Sequence, residues 1–115
     1  MSIVLEIHLV IAYLVLLLAI FVGWVPMGRR VMVGIIGLQV VVGLIVAGMW
    51  GASHRPLPPE IIAHILGAIA AMLAYVFARR FGDRGNKNAA LILSAVGLLV
   101  IVGTIWLGFH MAGRV

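Results

Sequence analysis

The sequence predicts an all-α fold, a transmembrane up-down-up-down four-helix bundle forming one domain over residues 1–115. Three observations predict it. The chain is 65% hydrophobic and 10% charged, with a mean hydropathy of +1.30, well outside the composition of a soluble domain. Four apolar runs, at about 3–25, 31–52, 59–78 and 89–112, are each long enough to cross about 30 Å of hydrocarbon at about 1.5 Å per residue. The segments between them are short, which forces consecutive helices to lie antiparallel; β-barrel spans would alternate in polarity and be about half as long.

Each element follows from its own residues. The first run starts without Lys or Arg between Met1 and His8 and is too long for a cleaved signal peptide, so it is expected to be retained as helix 1. "PMGRR" ends it and leads into helix 2, which carries Gly34, Gly37, Gly43 and Gly48 and one strongly polar side chain, Gln39, suited to an interhelical hydrogen bond. "SHRPLP" separates helix 2 from helix 3, and Glu60 after Pro58 and Pro59 favours the helix 3 start. "RRFGDRGNKN" leads into helix 4, with Gly97, Gly103 and Gly108. Trp24, Trp50, Trp106, Tyr13 and Tyr75 read mostly as belt or packing residues toward the span ends.

Charge sets the expected orientation. Net charge is +5, carried in short loops rather than in a basic patch with exposed aromatics, so the expected partner is the lipid bilayer and not nucleic acid. The first and third loops hold Arg29, Arg30, Arg79, Arg80, Arg84 and Lys87, against Arg55 and Arg114 on the opposite side. The positive-inside rule then puts both termini and the second loop outside a bacterial or archaeal plasma membrane. The absence of cysteine removes disulfides, thiolate metal sites and covalent CxxCH haem attachment.

With that topology His8, His54, His64 and His110 all fall on the extracytoplasmic half. His8 and His64 each sit about five residues into the first and third runs, hence at one depth, and those helices occupy a diagonal of the bundle. Two inward imidazoles meeting there would ligate a haem iron from both sides. Gly67, Ala68 and Ala71 follow His64 on its own face, small enough for a porphyrin to lie against, although the same stripe serves a tight helix contact. His110 and His54 read as interfacial histidines, with a second metal site, an alternate axial ligand or a proton relay as their functional readings. Arg55 and Arg114 match haem propionates bidentately or anchor the chain at the interface.

"LQVVVGLIVAG", followed by a proline loop and "LPPEIIAHILGAIAAML", resembles haem A synthases, in which a Gln-containing, Gly-rich span precedes a helix with an early haem-ligating histidine. "EIH" at the start of helix 1 is similar to that family's Glu-x-x-His, one residue shorter here, and the cysteine pair of many members is missing. The chain corresponds to one of that family's two fused halves. The resemblance implies a bundle with haem b held by His8 and His64.

The expected function is thus a membrane-embedded, bis-histidine cytochrome b for electron transfer with a quinone or redox protein. The alternatives are a haem A synthase-like haem-modifying or haem-handling oxidoreductase, working as a homodimer or with exchangeable haem, and a small four-helix transporter without haem. The transporter lacks the mid-span acid that small multidrug exporters use, since Tyr13 to Val22 contains none.

Overall fold

Helices form where the apolar runs stand; α2, α3 and α4 are longer than their runs and α1 is shorter. The computed structural model describes residues 2–52 and 59–112. It contains α1 (Ser2–Phe21), α2 (Pro26–Ala52), α3 (Ile61–Asp83) and α4 (Lys87–Ala112), with no strand among the described residues. All four are long and apolar enough to cross a membrane. Large apolar side chains such as Ile3, Leu17, Leu99 and Phe21 stay exposed around the outside, as lipid-facing surfaces require. The chain is an integral membrane protein.

Packing runs around a ring. α3 packs most extensively on α4, α2 contacts α1 and α3, and α1–α4 is the loosest of the four neighbouring pairs, with α1 and α3 on one diagonal. The up-down-up-down bundle expected from the short loops is therefore the fold. One end carries the start of α1 and the end of α4, here the histidine end. The other carries the connections 22–25 and 84–86, here the arginine end.

The helix limits differ from those expected, for reasons of backbone geometry. α1 stops at Phe21 rather than Val25, because Val22 N–H and Gly23 N–H both turn back to the Leu18 carbonyl, at 2.8 and 2.9 Å. Pro26 then starts α2 five residues before Val31, its fixed φ and missing N–H suiting the first helical position. "PMGRR" is helix, not loop. α3 begins at Ile61 and runs past Ala78 to Asp83, carrying Arg79 and Arg80 in its last turns, where positive charge complements the helix dipole. Gly85, at φ +84°, reverses the chain in a left-handed conformation open to glycine. Asn86 caps α4, its Oδ1 accepting from Ala89 N–H at 3.1 Å, so that helix starts at Lys87. Glu60 occupies the α3 N-cap position but makes no side-chain capping bond.

Arg29, read from sequence as a loop charge, is buried in α2 at 5% exposure. Its Nε donates to Ser94 Oγ at 3.0 Å and its Nη2 to the Trp24 carbonyl at 2.8 Å, while Gly82 of α3 leaves room for Nη1. One guanidinium thus joins the α1–α2 turn to α4.

Tyr75, one of the aromatics read as belt or packing residues, packs in the core with Val15, Ala19, Met32, Ile36, Ala71 and Ile101. Its ring fits because Gly97 has no side chain; a Cβ there would stand 2.7 Å from Tyr75 Cε2. The Tyr75 hydroxyl is buried without a hydrogen-bond partner, and an unmet buried hydroxyl costs about 1–3 kcal/mol. Tyr75→Phe is expected to raise the thermal midpoint in detergent; a fall of several degrees would show that the hydroxyl is satisfied in the folded protein.

Candidate functional site

The diagonal arrangement brings His8 of α1 and His64 of α3 together near the histidine end. Their ring centroids are 6.1 Å apart and their planes cross at 79°. Depth explains the meeting: both helices start at this end, and each histidine follows within about two turns of its start.

Neighbouring helices position the two rings differently. His64 Nδ1 lies 2.8 Å from the Thr104 carbonyl of α4. A carbonyl only accepts, so Nδ1 carries the proton and a neutral His64 keeps its lone pair on Nε2. The ring rests on α4 at Gly108, where a Cβ would stand 3.0 Å from His64 Cε1. His8 rests likewise on Gly43 of α2, where a Cβ would stand 3.0 Å from its Cε1. The backbone carbonyl of His8 accepts from Gln39 Nε2 at 2.7 Å, the interhelical bond expected of that glutamine. Its ring differs from that of His64 in having a buried Nδ1 with no partner, and Gln39 Oε1 is likewise unpaired.

The rings face a cavity of about 120 Å³ lined from all four helices, with Ala12, Ala47, Ala68 and Ala71 among its small residues. The cavity proper is the size of a small apolar ligand. Sequence reading placed Gly67 on this face as well. It turns instead onto Thr104 of α4, whose Oγ1 a Cβ there would strike, so Gly67 serves the α3–α4 contact.

His110, predicted near the surface, is exposed; it stacks on Trp106 at 5.4 Å and approaches Glu60 with Nε2 to Oε1 at 3.9 Å. It is not brought to the His8–His64 pair. No cluster of three or more metal-ligating side chains occurs among the described residues. His54, Arg55 and Arg114 lie outside the described residues, and with them the proposed propionate partners and the His54–His110 site.

Sequence reading missed the Thr104 carbonyl and the roles of Gly43 and Gly108. A backbone acceptor carries no sequence signal, and these two glycines look like any other small residue in an apolar span.

The donor set and its spacing suit a haem. Two imidazoles bound through Nε2 to one metal, at bonds of about 2 Å with about 1 Å more to each ring centre, have centroids about 6 Å apart, which the observed 6.1 Å matches. The fixed tautomer of His64 presents the required lone pair. Gly43 and Gly108 give the rings space beside neighbouring backbone. Compared with protein-family models, curated proteins and solved structures, the chain matches none.

Proposed function

We propose that this chain is a membrane-embedded b-type cytochrome in which His8 and His64 are the axial ligands of one haem b. The observation that carries this reading is the 6.1 Å approach of two imidazoles from diagonal helices inside an otherwise apolar cleft. Polar side chains at membrane depth are costly and mark functional sites. When bound, the haem supplies a one-electron ferric–ferrous couple.

The chain's own residues hold, orient and shield that site. Thr104 fixes the His64 ring through its carbonyl, the way outer partners orient metal-ligating histidines. Gln39 ties α1 to α2 at the His8 backbone. Ala12, Ala47, Ala68 and Ala71 leave space beside the rings in a mostly aliphatic lining. The six basic residues at the opposite end, Arg29, Arg30, Arg79, Arg80, Arg84 and Lys87, favour an orientation with the haem toward the extracytoplasmic side. Electrons would then pass to or from a quinone or redox protein at that surface.

The resemblance to haem A synthases keeps the same two ligands but needs a substrate haem in addition. Only one facing histidine pair occurs among the described residues, and His110 is turned to Glu60, which favours electron transfer over haem modification.

The purified chain, expressed with haem supplied, is expected to show a Soret band that sharpens on dithionite reduction, and to release unmodified haem b on extraction. A spectrum without a Soret band would remove the reading.

A further inference from the structure

The two histidines stand on unequal supports. His64 has an orienting hydrogen bond at Nδ1 and belongs to α3, which packs on α4 more extensively than any other helix pair in the bundle packs. That contact is close at the level of the site, with Gly67 against Thr104 and His64 against Gly108. His8 is held differently. Its backbone is tied by Gln39, its ring Nδ1 makes no close hydrogen bond and has only the Gln39 side chain nearby, and of its two neighbouring helices α1 packs less on α4 than on α2. Its buried residues, Val15 and Ala19, both lie on the arginine-end side of His8, and none lies between Ile3 and Leu14.

An outer hydrogen bond fixes the orientation of a ligating imidazole and raises its basicity; losing such a partner typically weakens a metal site about 10- to 100-fold. An imidazole without such a fixed bond is the weaker ligand and the easier one to displace. From this asymmetry, and resting on the haem reading above, we infer that His64 is the permanent axial ligand and His8 a displaceable one, so that a neutral diatomic gas takes the iron position on the α1 side. The surroundings suit such a molecule. Displacing His8 exposes a small apolar space bordered by Ala12, Val15, Gly43 and Ala47, large enough for two atoms and without a charge. In the exchange the iron–nitrogen bond to His8 would break, a bond from iron to one atom of the gas (carbon, for carbon monoxide) would form in its place, and no electron would be transferred. His8 stays tethered by its helix and returns when the gas leaves.

Carbon monoxide is the probe, used on the full chain in detergent after loading with haem and reduction with dithionite. The wild-type protein is expected to show six-coordinate ferrous bands that shift on adding carbon monoxide, with rebinding after a light flash slowed by competition from His8. His8→Ala is expected to keep haem in a five-coordinate ferrous form and to bind the gas without that slow phase. His64→Ala is expected to lose clearly more haem than His8→Ala does. A reduced six-coordinate spectrum that carbon monoxide leaves unchanged would overturn the inference while leaving the cytochrome reading in place. Equal loss of haem in the two variants, or greater loss in His8→Ala, would overturn it too. Absence of a Soret band from the wild type would overturn the cytochrome reading itself and this inference with it.

Discussion

Gly28→Ala is expected to be the most disruptive single-methyl change in the bundle, lowering stability in detergent by about 3 kcal/mol or more. Gly28 is the third residue of α2, immediately after the four-residue turn from α1. Its missing Cβ is where the Val22 carbonyl lies, so an added methyl would meet backbone rather than a side chain able to rotate away. Relief requires the turn to move. The same turn presents the Trp24 carbonyl to Arg29, whose guanidinium also reaches Ser94 of α4. A shifted turn therefore also disturbs a buried charge-assisted hydrogen bond, and stranding one partner costs more than the bond contributes when made. Gly34→Ala in the same helix is the control: a Cβ there meets nothing within 4 Å, so the better helix propensity of alanine should leave stability unchanged or raise it by up to about 1 kcal/mol. Thermal unfolding followed by circular dichroism separates the two. Coincident melting curves would show that the α1–α2 turn accommodates a side chain at Gly28.

The bundle and its histidine pair were legible because both depend on coarse quantities. Run length fixes that a helix spans, short loops fix that neighbours are antiparallel, and similar offsets from the starts of the apolar runs put His8 and His64 at one depth. Helix limits were less legible because charge was read as loop. The backbone does not see that distinction: Arg29 and Arg30 continue α2 once Pro26 has started it, and Arg79 and Arg80 continue α3 to its glycine stop. Rotation about each helix axis was the other gap. Gly67, Ala68 and Ala71 form one stripe in sequence, yet a modest turn of α3 gives Gly67 to α4 and the two alanines to the cavity. Apolar on every face, these helices carry no amphipathic pattern from which that rotation could be read.

The glycines behind the rings offer the sharpest functional test, with opposite outcomes expected from two similar changes. Valine at position 108 of α4 would push its side chain into His64 Cε1, which already stands 3.0 Å from the nearest Cβ site. The ring has nowhere to go without giving up its bond to the Thr104 carbonyl, so Gly108→Val is expected to weaken haem binding by about 10- to 100-fold. Valine at position 43 of α2 would press equally on His8, again at 3.0 Å. That ring has no orienting bond to lose and turns aside, so Gly43→Val is expected to keep haem on His64 while losing the second ligand, seen as high-spin bands and as carbon monoxide binding without competition. Both positions lie inside long helices, where exchanging glycine for valine carries little propensity penalty, so far-ultraviolet circular dichroism should stay unchanged. Haem titration followed at the Soret band, with and without carbon monoxide, reads both outcomes. Wild-type affinity and spectra in both variants would mean that neither ring bears on the iron, because a ligand held against backbone at that distance cannot absorb a valine unmoved.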